Sequence, residues 1–322
     1  MNDKFDFGYL RPWIEDELIT DINYNGTQCW IDHLKRGRFP IEPFDQHEFM
    51  QALAYKLANY VNLPFNIQNP LLEAETKELR ISMLHPSICR NGLSISIRKT
   101  PAIIRLDDQK AIKNYAPKWV INYLKQAVIA KANILVSGLP GSGKTELIKY
   151  LMQTIPADQR VITIEDTLEL RYGDIHPNKD NIMIKVNDDF NYAQAIKASL
   201  RQRPDWICVS EVRSEEVLQL LQSSSTGASV LSTLHASSAH TIPQRLLHMM
   251  PGNELSNTNI THLIHQTIDV GVHLEMASDG FGIHRRIKEI VQFNLSENKA
   301  SIEIVYDDKH SSERQYEKSG DA

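Results

Sequence analysis

The chain reads as an α/β protein: a largely parallel sheet covered by helices on both faces, preceded by a smaller α+β domain. Three observations predict this. Short apolar runs that end in polar residues, NILVSG (133–138), RVITIED (160–166), DWICVSE (205–211) and SVLSTLH (229–235), alternate with helical stretches such as QAIKASLRQ (194–202) and EEVLQLLQSS (215–224). Strands alternating with helices make parallel sheets with crossover connections. A glycine-rich segment joins the first of these runs to a helix, and the first hundred residues alternate apolar and polar positions around turn dipeptides, as antiparallel strands do.

Within the first part, ELITDINYNGTQCWID (17–32) breaks at Asn25-Gly26, a hairpin-turn dipeptide. Phe49, Leu53, Leu57 and Val61 recur at helical spacing, with Asp45 as expected N-cap and Glu48 placed as in a capping box. LRISML (79–84) and LSISIR (93–98) alternate as strands on either side of a turn region with Pro86 and Asn91-Gly92. The expected organisation is an N-terminal α+β domain over 1–103, a linker over 104–113, a second domain over 114–305 and a polar, disordered tail over 306–322. A helix from about Pro117 to Lys131 opens the second domain, and HRRIKEIVQFNLS (284–296) reads as a closing strand.

With 322 residues, the chain is long enough for one large domain or two ordinary ones. Its 42% hydrophobic and 23% charged residues, with a mean hydropathy of −0.35, exclude wholesale disorder and fibrous repeats. The net charge of −5 and pI near 6.2 count against a protein whose main task is gripping nucleic-acid backbone. Cys29, Cys89 and Cys208 form no CxxC pair and are too few for a four-cysteine zinc site. No basic stretch followed by an apolar run opens the chain, and no uncharged apolar run reaches membrane-spanning length. A cytoplasmic protein is expected.

GLPGSGKT (138–145) matches the G-x-x-x-x-G-K-[ST] phosphate loop, between an apolar strand and a helix. Gly138, Gly141 and Gly143 let the backbone turn its amides, with Ser142 between them, toward phosphate oxygens. Lys144 adds a cation at the β- and γ-phosphates, and Thr145 offers Mg²⁺ a hydroxyl at a helix N-terminus that favours negative charge.

Glu165 and Asp166 end the next apolar run, with Glu169 soon after; such carboxylates hold Mg²⁺ through water, polarise an attacking water, or are merely a solvated strand end. Glu211 closes the following run and is the natural partner for Mg²⁺ and a nucleophilic water, since an acid there faces the ligand crevice. His235, in STLHA, is placed to sense the γ-phosphate or bond Glu211; a structural role is the more common one for a single histidine among 12. His262 and His265 are three apart but have no accompanying metal motif.

GLPGSGKT, IEDTLEL, RQRPDWICVSEVR and STLHA, in that order, resemble the Walker A, acidic, Walker B and histidine boxes of the secretion-ATPase superfamily. LITDINYNGTQCWI and LSISIRK further resemble the N-terminal domain of the VirB-type traffic ATPases of type IV secretion. The resemblance covers roughly residues 15–295, more strongly in the second domain. It implies a RecA-like P-loop NTPase domain, ATP and Mg²⁺ as cofactors, and a homohexameric motor. Such motors act peripherally at the inner membrane, beside membrane components of the machine, powering substrate transport or pilus assembly, and each nucleotide sits between the two domains of one subunit.

By the same resemblance, Lys144 and Thr145 match phosphate and Mg²⁺ ligands, Glu165 the acidic-box carboxylate, Glu211 the Walker B acid, itself a Mg²⁺ partner directly or through water, and His235 the histidine-box residue. Arg80 and Arg98 match arginines that reach nucleotide phosphates; the alternative is two solvated strand arginines. Arg201, Arg203 and Arg213 flank the Walker B run, and the sequence does not choose among them. Two positions depart from the family pattern, Ser210 where glycine is usual and Ala228 where histidine is common. MMPGNEL (249–255) resembles the pilus-retraction and Dot/Icm branches, which stand as alternatives. A nucleic-acid translocase and a slowly turning nucleotide-binding scaffold are the remaining readings, and no sequence-specific nucleic-acid binding is expected.

Overall fold

The computed structural model describes residues 5–214, 216–224, 226–250, 256–279 and 282–309. The chain divides into two compact units, Met1–Pro101 with Ser278–Ile283, and Ala102–Ala277 with His284–Ala322.

In the first unit, strands β1 (Ile19–Tyr24), β2 (Cys29–His33), β3 (Gly37–Pro40), β4 (Leu71–Glu75), β5 (Leu79–Leu84) and β6 (Ser94–Lys99) form an antiparallel sheet in the order β3-β2-β1-β6-β5-β4. The Asn25-Gly26 turn forms as expected: the Asn25 carboxamide oxygen accepts the amides of Thr27 and Gln28, and Gly26 takes φ +94°. Alternation along the strands buries Ile22, Ile31, Ile81, Met83, Ile95 and Ile97 on one face. The helix His47–Val61 adds Met50, Leu53, Ala54 and Leu57 to the same core. That helix starts two residues after Asp45, whose carboxylate takes the side-chain amide of Gln46 instead of capping the helix.

In the second unit, β7 (Ile134–Gly138), β8 (Val161–Glu165), β9 (Asn181–Lys185), β10 (Trp206–Val209), β11 (Ser229–Leu234) and β12 (Val270–Asp279) are parallel, in the order β12-β7-β11-β10-β8-β9. β13 (Gly282–Ser296) continues the sheet beside β12, and β14 (Lys299–Asp307) pairs with it antiparallel. Most residues of the central strands are buried, because two separate apolar layers sandwich the sheet. One layer contains residues of the helices Lys118–Ile129 and Lys144–Met152; the other contains residues of Tyr192–Leu200, Glu216–Ser224, Ile242–His248 and Asn257–Thr267. The α/β architecture, with a separate antiparallel unit earlier in the chain, is the one expected.

Two stretches differ from expectation. The segment 104–113, read as a linker, belongs to the second unit, because Leu106 and Ala111 are buried in its core and Tyr115 follows them there. The polar tail begins later than Tyr306: that residue lies in β14, buried, with its ring 5.8 Å from that of Trp119. Residues 310–322 of the tail, and 251–255 of MMPGNEL, lie outside the described residues.

Candidate functional site

β7, β11, β10 and β8 are neighbours in the sheet, and the polar residues that follow their last strand residues lie at one edge. Ligands of open parallel sheets bind at that edge, beyond the strands' carboxyl ends.

The loop from β7 to the helix Lys144–Met152 is shaped by its glycines. Gly138 has φ +151°, and a Cβ there would fall 2.5 Å from Ser142 Oγ and 2.7 Å from the Leu274 carbonyl. Gly143 has φ +91°, with the Tyr115 hydroxyl 2.8 Å from the point a Cβ would occupy. The amide of Ser142 donates to the Leu139 carbonyl at 3.1 Å, closing a turn. Ser142 Oγ is buried with no hydrogen-bond partner among the described residues. Lys144 is buried, and its ammonium donates to the carbonyls of Gly138 (3.0 Å) and Leu139 (3.3 Å). Burial holds the Lys144 pKa below the usual lysine range, although the carboxylates of Glu211 and Glu169 oppose the shift.

Glu211 follows β10, and its two oxygens have different partners. Oε1 lies 2.8 Å from His235 Nε2, and Oε2 accepts from Arg213 Nε at 2.9 Å. His235 follows β11, and its Nδ1 lies 3.1 Å from the Gly138 carbonyl and 3.4 Å from Lys144 Nζ. The structure therefore brings Lys144, Glu211 and His235 into one connected group. Arg213 also donates to Asp166 at 3.0 Å, tying the ends of β8 and β10 together. Arg201 and Arg203 are exposed, Arg203 with φ +54°.

Glu165 is placed differently. It is fully buried, and Oε2 accepts the amides of Glu169 and Leu170, both at 2.7 Å, while Oε1 has no partner among the described residues. Burial pushes its carboxyl up to about 7, outweighing those two amide bonds. The carboxylate beside the loop's hydroxyl is Glu169, whose Oε2 accepts from Thr145 Oγ1 at 3.2 Å. Glu169 stands in the IEDTLEL run, but spacing alone gives no sign that the turn after β8 swings it back to Thr145.

The Ser210 hydroxyl lies 3.2 Å from that of Tyr192, which accepts the Asp166 amide at 2.9 Å. No sequence signal marked Tyr192. Ala228 is buried in an apolar cluster. In the first unit, Arg80 and Arg98 stand directly opposite on β5 and β6, and Arg98 Nε donates to Asp21 at 2.7 Å. Like charges facing across two strands are costly, and Asp21 opposite Arg98 on β1 and Glu75 opposite Arg80 on β4 offset that cost. Among the described residues, no group of three or more His, Cys, Asp or Glu side chains forms a metal cluster. His265 packs its ring against Phe293.

A family model described as type II/IV secretion system protein matches residues 66–278, well over half of the chain. The chain belongs to that family. Its relatives include the type IV secretion system protein VirB11 of Brucella suis, 29% identical over 313 residues, covering 85% of this chain and 86% of that one. The type IV secretion system protein PtlH of Bordetella pertussis is 29% identical over 315 residues, covering 87% of this chain and 92% of that one. Two solved structures share the fold: the Legionella pneumophila ATPase DotB (TM-score 0.63, 19% identity, covering 88% and 79%) and the pilus retraction motor PilT (0.60, 21%, covering 88% and 83%). That likeness is one of fold alone: an α/β domain preceded in the chain by an antiparallel sheet domain. No helix among the described residues is long and apolar enough to cross a membrane.

Proposed function

We propose that this chain is the ATP-hydrolysing motor of a type IV secretion or conjugation machine, working as a homohexamer at the inner membrane beside other components of the apparatus. The observation that carries the reading is the convergence of Lys144, Glu211 and His235 on the carbonyl end of β7. The VirB11 and PtlH relatives supply the machine.

In this reading the first amides of the helix Lys144–Met152 and the Lys144 ammonium take the phosphates, at a helix end that favours negative charge. Thr145 and Glu211 hold Mg²⁺, directly or through water, with Glu169 beside Thr145. One hydroxyl and two carboxylates suit a hard divalent cation. When bound, that ion neutralises charge on the β- and γ-phosphates. Glu211 accepts a hydrogen bond from the attacking water, and His235 and Arg213 fix the carboxylate that does so. Arg80 and Arg98 are further phosphate-directed cations, a role that rests on the resemblance of LSISIRK and its neighbours to the N-terminal domain of the VirB-type ATPases. Glu165 supports the site by holding the turn that carries Glu169.

Steady-state ATP hydrolysis by the purified full chain tests the reading. The wild type should turn over ATP with Mg²⁺, while Lys144→Ala and Glu211→Gln should lose at least about 10²-fold. Equal rates in all three proteins would overturn it.

A further inference from the structure

The outer side of the phosphate loop is walled by side chains from distant parts of the second unit. Arg285, on β13, donates from Nε to the Gly141 carbonyl at 2.8 Å. Its Cδ lies 3.3 Å from the point where a Cβ on Gly143 would stand, with the Tyr115 hydroxyl on the same point at 2.8 Å. Met276 Sδ lies 3.7 Å from the corresponding point on Gly141. The Gly141 carbonyl takes no part in the Ser142-to-Leu139 bond that closes the turn, so Arg285 binds an acceptor which that turn leaves over. A second brace acts just beyond the loop: the Glu146 carboxylate accepts the amides of both Arg105 and Leu106.

This bracing matters because of what the loop is made of. Gly138, Gly141 and Gly143 all take positive φ, and glycine loses more conformational freedom on ordering than any other residue. A glycine-rich loop held only by its own turn bond must be ordered when an anion arrives, and that cost is subtracted from affinity. A charge-assisted bond at its apex meets the cost beforehand.

We infer that Arg285 is a positioning residue for nucleotide binding: its bond to the Gly141 carbonyl keeps the phosphate loop in its receptive shape. The inference rests on reading that loop as the nucleotide site. Arg285 acts through the loop's backbone, in the free and the loaded protein alike. Its loss therefore weakens the binding of ADP and of ATP together and leaves the chemical step alone.

The test compares Arg285→Met, which keeps the aliphatic stem against Gly143 but has no donor, with Arg285→Lys, which keeps a charged donor. Titration calorimetry with MgADP and steady-state kinetics with MgATP are read on each, with thermal midpoints as a check on folding. Arg285→Met should raise the ADP Kd and the ATP KM together by about tenfold, the loss expected for one charge-assisted bond. Its kcat should stay within about twofold, and Arg285→Lys should recover most of the affinity. Unchanged affinity in Arg285→Met, a fall in kcat at constant KM, or equal losses in the two variants would overturn the inference. Wild type and Lys144→Ala are titrated alongside. A wild type that binds no nucleotide, or a Lys144→Ala that binds as well as wild type, marks failure of the nucleotide-site reading itself.

Discussion

The imidazole of His235 spans Glu211 and the phosphate loop, with Nε2 2.8 Å from Glu211 Oε1 and Nδ1 3.1 Å from the Gly138 carbonyl. One ring thus fixes the orientation of the acid relative to the loop. Replacing it by alanine leaves Oε1 of the acid without this partner, Arg213 still holding Oε2, and removes no group proposed to hold phosphate. His235→Ala should lower kcat on the order of 10²-fold while KM for ATP stays within about threefold. Steady-state kinetics checks this, and an unchanged kcat would separate His235 from the reaction.

Ser210 and Tyr192 share a hydrogen bond, but only Tyr192 also accepts the Asp166 amide. Ser210→Ala removes one modest bond, worth about 1 kcal/mol, whereas Tyr192→Phe leaves a backbone donor without its acceptor, costing about 1–3 kcal/mol. Urea unfolding should rank Tyr192→Phe as the more damaging. The double variant should fall short of the sum of the two losses, because the residues share the bond.

Glu165 gives the protein a pH dependence of known sign. Burial lifts its carboxyl in the folded chain to about 7 from an ordinary 4.5, so the native state holds the proton more tightly than the unfolded chain. Its contribution is most favourable below about pH 4.5 and is lost as pH rises through about 7, by about 3 kcal/mol in all. Glu165→Gln has no proton to lose. The stability of wild type relative to Glu165→Gln should therefore decline between pH 5 and pH 8, measured by denaturant midpoints at constant salt. A constant difference would contradict the burial argument.

Gly138 cannot carry a side chain without moving a neighbouring strand, since a Cβ would meet the Leu274 carbonyl of β12 at 2.7 Å. Gly227 also takes a positive φ, +93°, but no atom of the described residues lies within 4 Å of where its Cβ would stand. Gly138→Ala should weaken nucleotide binding at least about tenfold. Gly227→Ala should cost only the backbone strain of about 1–2 kcal/mol and leave binding unchanged. Calorimetric titration of both separates collision from strain.

What the sequence made legible follows from which signals are local. The phosphate loop, the four central strands around it and the β1–β2 hairpin each depend on short runs, and Lys144, Glu211 and His235 meet because parallel strands end at one edge. β12 was hidden because ITHLIHQTIDVGVHLEM passes from helix to strand through Ile268 and Asp269 alone, with no glycine or proline between them. The burial of Leu106 and Ala111 was hidden by the charges around them, which read as a linker. Contacts set by tertiary folding left no trace: Thr145 with Glu169, Tyr192 with Ser210, and Arg285 with a carbonyl 144 positions away.

The most direct test of the central claim, that Lys144 binds phosphate while Glu211 directs its hydrolysis, measures MgATP affinity and phosphate release on the same samples of wild type, Glu211→Gln and Lys144→Ala. Glu211→Gln should bind MgATP within a few-fold of wild type yet release phosphate at least about 10²-fold more slowly, and Lys144→Ala should lose binding itself. Wild-type phosphate release from Glu211→Gln, or wild-type affinity in Lys144→Ala, would contradict it.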